Sequence, residues 1–189
     1  MKVLIVVDMQ NDFIDGALGT PEAEAIVAGV AKRIADSNDE LILFTQDTHG
    51  MNYLDTPEGK KLPVEHCIEG TPGWEIKSEI RSAWRDNRNT IHDAGLIAGE
   101  NTFLKPVFGS VELVEYLKSR IDEISQIEML GLCTDICVVS NAIMIKNTFP
   151  DVPLSVNAKL CAGVTPQSHE EALNTMQMCQ IDIANRPEA

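Results

Sequence analysis

The stretch Ile127-Glu128-Met129-Leu130-Gly131-Leu132-Cys133-Thr134-Asp135-Ile136-Cys137-Val138-Val139-Ser140-Asn141-Ala142-Ile143-Met144-Ile145 reads as strand, polar turn and helix in close succession. Ile127 to Gly131 is a short apolar run of the length of a buried strand, and Cys137 to Ile145 is a mostly apolar segment long enough for a helix. This reading places Cys137 at a helix amino terminus. Orphan N–H groups and the positive end of the helix dipole favour a thiolate there and bind oxyanions.

The same alternation extends in both directions. Val3 to Val7 is an unbroken β-branched and leucine run that suits a strand buried on both faces, and it ends at Asp8. Thr20-Pro21-Glu22-Ala23-Glu24 has the form of a helix start, with Thr20 as cap, Pro21 in the first position and acids in the first turn. A helix to about Asp36 should follow. Glu40 to Thr45 is a second strand, Trp74 to Arg85 a helical segment, Thr102 to Lys105 a short strand and Val111 to Ile121 an amphipathic helix. Toward the carboxyl terminus, Val152 to Val156 is a further strand, and Thr165-Pro166-Gln167-Ser168 opens a last helix. With no internal repeat or linker, the expected architecture is α/β: one three-layer α/β/α domain over residues 1–189 with a central, mostly parallel sheet.

A chain of 189 residues is long enough for such a core, burying about 70% of its unfolded surface. The 29 acidic and 15 basic side chains give a formal charge of −14, which opposes nucleic acid and anionic membranes as partners. Cys67, Cys133, Cys137, Cys161 and Cys179 are odd in number and lack small-scaffold spacing, so they read as free thiols of a reducing compartment. The amino-terminal apolar run is too short for a signal peptide and no later segment approaches a membrane span. The cytoplasm is the expected location.

In parallel α/β sheets, ligands bind outside the carboxyl ends of the strands. The residues just past the apolar runs are Asp8, Asp47 with His49, Lys105, and the turn from Cys133 to Cys137. A cysteine, a carboxylate and a lysine at one sheet end suggest an activated nucleophile, with Asp8 as base, Lys105 paired to both, and helix-start amides for an oxyanion. That is amide or ester chemistry. Taken singly, each residue has a plainer reading: Asp8 as a strand-end cap, Lys105 as a surface charge before Pro106, Cys137 as a small buried hydrophobe. From Gln46 to Gly73 the periodicity is lost, and so long an irregular stretch in a compact domain is usually functional.

With these motifs in place, the chain resembles the isochorismatase-like cysteine hydrolases, and within them the nicotinamidases, over nearly its whole length. The resemblance rests on Val7-Asp8-Met9-Gln10-Asn11-Asp12-Phe13, Asp47-Thr48-His49, His66-Cys67-Ile68-Glu69-Gly70-Thr71-Pro72-Gly73, Lys105-Pro106, and Gly131 to Val138. It implies the isochorismatase-like hydrolase fold and hydrolysis of a small carboxamide, such as nicotinamide to nicotinate and ammonia. Cys137 would be the nucleophile, Asp8 the base and Lys105 a stabilising cation. A non-proline cis peptide at Leu132–Cys133 would turn the amides of Cys133 and Cys137 into an oxyanion hole. Members acting on N-carbamoyl compounds or ureido acids share the triad and remain an alternative. A non-catalytic binding module, or a thiol redox sensor built on Cys133 and Cys137, belongs to a different class. Relatives are commonly dimers or tetramers, which makes a homo-oligomer one expectation.

A second cluster comprises Asp47, His49, Glu58 and His66. Asp47 and His49, two apart on an extended segment, face the same way. Two imidazoles with two carboxylates suit Zn²⁺, Fe²⁺ or Mn²⁺ and leave positions for water and substrate. Asp47, His49 and His66 match the metal ligands of nicotinamidases, in which the metal is thought to hold the pyridine nitrogen. Many members add a histidine a few residues after the second ligand; Gly50 to Asp55 has none, and Glu58 stands where some members use a glutamate. An acid in Thr56-Pro57-Glu58-Gly59 also fits a solvated turn. Phe13, Leu18, Trp74 and Leu132 are candidate apolar walls for a flat ring, Trp74 being equally suited to a core position. His92 and His169 read as surface or supporting groups.

Overall fold

A computed structural model of the chain describes residues 1–91 and 101–186; His92 lies outside them. Among the described residues six strands form one sheet: β1 (Lys2–Val7), β2 (Glu40–Asp47), β3 (Thr102–Lys105), β4 (Gln126–Leu132), β5 (Leu154–Ala162) and β6 (Asp182–Ala184). Their order is β3-β2-β1-β4-β5-β6 and every pairing is parallel. The helices are α1 (Asn11–Ile14), α2 (Pro21–Ala35), α3 (Ser78–Asp86), α4 (Val111–Ser119), α5 (Val139–Thr148) and α6 (Pro166–Met178). α2 packs on α3, and α5 on α4 and α6, so a helical layer covers each face of the sheet. This is the three-layer architecture expected. It explains why Val3–Val7 is apolar at every position, since a central strand under two helical layers is buried on both faces. No helix of the described residues is long and apolar enough to cross a membrane.

Local chemistry sets most of the helix starts. Thr20 Oγ1 accepts the Ala23 N–H at 3.1 Å ahead of Pro21, Ser110 Oγ accepts the Leu113 N–H at 3.1 Å, and Thr165 and Ser168 cap one another reciprocally. Four expectations need correction. The helix placed from Trp74 begins at Ser78, because Trp74–Lys77 pairs instead with the segment after β1: Asn11 N–H donates to Glu75 O at 3.0 Å and Lys77 N–H to Met9 O at 2.8 Å. The helix drawn to Ile121 ends at Ser119, and Ile121–Glu123 forms a separate 3₁₀ turn. The helix after β4 opens with one π-helical turn, Thr134–Val138, so Cys137 lies within the first turn instead of at its first residue. β5 runs to Ala162, past the polar Asn157 and Lys159 that ended its apolar pattern, and the short edge strand β6 gave no periodic signal.

The chain leaves central β1 in one direction, through β2 to β3, then returns to the other side of β1 as β4. The crevice outside the carboxyl ends of β1 and β4 is therefore the topological switch point, where ligands bind in such sheets. At that point Gly131 pairs with Val7 at φ 118°, and a Cβ there would run into the Val7 carbonyl oxygen. The opposite end of the sheet is tied by Arg33 of α2, which bonds Glu40 at 2.8 Å and Glu128 at 2.7 Å. Gly131→Ala should therefore cost about 2–4 kcal/mol from strain and overpacking. The readout is a lower urea midpoint at unchanged m-value; a midpoint equal to wild type would show that β1 and β4 can separate freely.

Candidate active site and metal centre

Three strand ends deliver three charged side chains to one buried point. Asp8 follows β1, while Asp47 and Lys105 are the last residues of β2 and β3 and face each other in register. Lys105 Nζ lies 2.6 Å from Asp8 Oδ2, 3.2 Å from Asp47 Oδ1 and 3.4 Å from Cys137 Sγ. Asp8, Asp47, Lys105 and Cys137 are all buried. Asp8 takes a left-handed φ of 45°, which aspartate tolerates better than most residues, and its Oδ1 accepts the Thr45 hydroxyl at 2.6 Å. Its Oδ2 meets Lys105 outside hydrogen-bond geometry and has no other hydrogen-bond partner among the described residues, so it keeps acceptor capacity. The Leu132–Cys133 peptide is cis.

The electrostatics follow from burial and from these neighbours. Burial, joined by the Asp47 charge, raises the Asp8 pKa above its ordinary value although Lys105 opposes it. Burial would lower Lys105, but Asp8, Cys137 and Asp47 outweigh it and hold the ammonium charged. Burial and the Asp8 charge push the Cys137 thiol well above the ordinary range, with Lys105 pulling the other way. Asp47 goes the opposite way to Asp8: burial raises it, but His49, His66 and Lys105 together hold it below the ordinary carboxylate range.

Asp47 also faces the histidines. Its Oδ2 lies 2.9 Å from His49 Nε2 and 3.6 Å from His66 Nε2, and Glu58 Oε1 stands 3.8 and 3.9 Å from the same two nitrogens. Asp47, His49 and His66 form a potential divalent-metal cluster among the described residues. A tetrahedral ion about 2.1 Å from each donor would space the donors about 3.4 Å apart, and the observed separations bracket that value. Two further observations fit a metal. The buried His49 Nε2 has no hydrogen-bond partner among the described residues, and His66 Nδ1 is 2.9 Å from the Val64 carbonyl, a bond that leaves Nε2 as the lone-pair donor. The two histidine segments are joined by backbone, with His49 N–H donating to Cys67 O and Glu69 N–H to His49 O, both at 2.9 Å. Tyr53 packs its ring 4.7 Å from His49 and 4.9 Å from His66.

A cavity of 230 Å³ opens beside Cys137, with Asp47, Glu58 and His66 on its wall. That is below the roughly 300–1,000 Å³ typical of drug-sized sites, so it admits one small ring. Phe13, Leu18, Leu132 and Cys133 line it; Trp74 does not. The Trp74 indole N–H donates to Thr48 Oγ1 at 2.9 Å, and its carbonyl accepts from the side chains of Gln10 and Gln46, both at 2.8 Å. Sequence reasoning missed Leu62, Phe108, Ile136 and Val164 on the wall. Phe108 had a signal, as an aromatic residue three positions after Lys105 in a Pro-Val-Phe-Gly turn. Gln10 was missed as well: its amide donates to Asp47 O at 2.9 Å and accepts Asp47 N–H at 2.7 Å, clamping the end of β2.

Residues 2–186 match the isochorismatase domain model. A nicotinamidase/pyrazinamidase of Mycobacterium tuberculosis is 25% identical over 190 residues, covering 97% of this chain and 98% of that protein. The crystal structure of a pyrazinamidase/nicotinamidase from Streptococcus mutans superposes with a TM-score of 0.77 at 26% identity, over 97% of this chain and 99% of that one. The pyrazinamidase of Pyrococcus horikoshii in complex with zinc does so with a TM-score of 0.73 at 25% identity, over 98% and 99%. The chain belongs to the isochorismatase family, among its nicotinamidase-like cysteine hydrolases.

Two outcomes follow from the site. Lys105→Met leaves Asp8 and Asp47 buried without their counter-charge and should cost about 3–5 kcal/mol in a denaturant titration, with part recovered by adding Asp8→Asn. His66→Ala should reduce the divalent metal that co-purifies with the protein, measured by elemental analysis; undiminished stoichiometry would exclude this cluster as the metal site.

Proposed function

We propose that this chain is an amidohydrolase that releases ammonia from a small neutral carboxamide, nicotinamide foremost, through a thioester on Cys137. The observation that carries this reading is the reach of one buried ammonium. Lys105 Nζ touches Asp8 at 2.6 Å and Cys137 Sγ at 3.4 Å, beside a cavity sized for a single ring. Relatives described as nicotinamidases and pyrazinamidases point the same way.

Asp8, with its raised pKa, is a stronger base than an exposed carboxylate and accepts the Cys137 proton on Oδ2. The thiolate, balanced by Lys105, attacks the amide carbon; an S–C bond forms and the carbonyl π pair moves to oxygen. The N–H groups of Cys133 and Cys137 receive this oxyanion. Collapse breaks the C–N bond as Asp8 returns the proton to nitrogen, and ammonia leaves. A water deprotonated by Asp8 then attacks the thioester, the C–S bond breaks, and Cys137 recovers the proton as the carboxylic acid departs. Phe13, Leu18 and Leu132 flank the ring. Asp47, His49 and His66, with Glu58 on the loop side, would hold Zn²⁺, Fe²⁺ or Mn²⁺, and the bound ion would supply a Lewis acid beside the substrate ring.

The described lining of the cavity contains no arginine or lysine to receive a carboxylate, which favours a neutral amide over ureido acids and N-carbamoyl amino acids. The five cysteines are free thiols, as suits a reducing compartment such as the cytoplasm. Nicotinamide deamidation would place the chain in NAD salvage. The test is ammonia release across an amide panel, with Cys137→Ala as control. Turnover of nicotinamide is expected, and the variant should lose at least about 10⁴-fold in kcat with its urea midpoint unchanged. Near wild-type release by the variant would sink the nucleophile assignment, and turnover confined to N-carbamoyl compounds would sink the substrate class.

A further inference from the structure

The nucleophile turn is tied to the start of α6 at two successive residues. Thr134, fully buried between Cys133 and Cys137, shares a 2.8 Å hydrogen bond with Nδ1 of His169, in the first turn of α6. Asp135 accepts the Val164 N–H on both carboxylate oxygens, at 3.1 and 3.2 Å. Gly163 and Val164 belong to the cavity wall, and the His169 backbone stands 3.0 Å from where a Cβ on Gly163 would lie. Glu170 Oε1 stands 4.0 Å from His169 Nε2, so the Thr134 hydroxyl is the hydrogen-bond partner of the ring among the described residues. The charged groups facing the ring are Glu170 on its own helix, Asp135 on the turn and Arg186 near the carboxyl end. Burial lowers the His169 pKa below its ordinary value, so the ring is neutral at pH 7.

We propose that His169 is a positioning residue for the reaction: through its hydrogen bond to the Thr134 hydroxyl, it holds the backbone between the oxyanion donors Cys133 and Cys137. This rests on the reading of Cys137 as nucleophile. An oxyanion develops only after the substrate is seated, and His169 is not on the cavity wall, so loss of the bond falls on the transition state and spares ground-state binding. A merely structural His169 would lower stability and leave the kinetics of the folded enzyme unchanged.

His169→Ala and His169→Asn separate these roles, because an asparagine carboxamide offers a hydrogen-bonding group near the place of Nδ1. His169→Ala should lower kcat about tenfold, the kinetic equivalent of roughly one hydrogen bond, with KM changed less than about twofold. It should also speed amide hydrogen exchange across Thr134–Val138, while His169→Asn restores most of both. An alanine variant with wild-type kcat, or an asparagine variant no better than alanine in rate and exchange, overturns the proposal. If the wild-type protein releases ammonia from no carboxamide, the functional reading fails, and a wild-type exchange pattern in His169→Ala would then separately overturn the hold on the turn.

Discussion

A lysine ammonium sealed from water must be surrounded by negative charge, and Lys105 meets that demand with two carboxylates from two other strands. Neighbouring strands are about 4.8 Å apart, so a side chain rooted on β3 that reaches beyond β2 to Asp8 must be long and unbranched. Lysine fits that span. The contact constrains β1, β2 and β3 at their carboxyl ends and brings the ammonium to Cys137 on the far side of β1. Both carboxylates share this cation, and their pKa values move in opposite directions because their other neighbours differ. Asp8 has burial and a neighbouring carboxylate against it, whereas Asp47 has two imidazoles as well as the lysine.

Asp47 is the joint between the two halves of the site. Its Oδ1 faces Lys105 and its Oδ2 faces His49 and His66, so a displacement of this carboxylate moves both the ammonium beside Cys137 and the histidine cluster. Its main chain is accordingly held by Gln10 on both its N–H and its C=O. The residues after Gln10 spend their side chains in the same way: Asn11 donates to Pro72 O at 2.7 Å and Asp12 accepts the Cys67 N–H at 2.8 Å. A short polar segment thus organises the long loop that carries His49, Glu58 and His66. Loop backbone that lacks sheet partners takes its hydrogen bonds from these side chains.

The alternation of apolar runs and capped helices made the layered sheet legible, because strand burial and helix capping are local in sequence. Pairing decided the errors. Trp74–Lys77 looked helical by pattern but found backbone partners in Met9 and Asn11, far away in the chain. β5 outran its apolar pattern because β4 continued to offer ladder partners through Cys161 and Ala162. β6 is a short edge strand whose existence depends on β5 being there to pair with it.

The sequence by itself determined which side chains stand at the strand ends, and hence that Asp8, Asp47, Lys105 and the Cys133–Cys137 turn share one end of the sheet; in a parallel sheet that follows from the end of each apolar run. Only the tertiary structure decided how the loops close over that end. It set Glu58 within 4 Å of both histidines, turned Trp74 toward Thr48 and away from the cavity, brought Phe108 and Val164 onto the wall, and joined His169 to Thr134 across 35 residues. The physical reason is that loop side chains settle according to contacts made far along the chain, and no local periodicity encodes those.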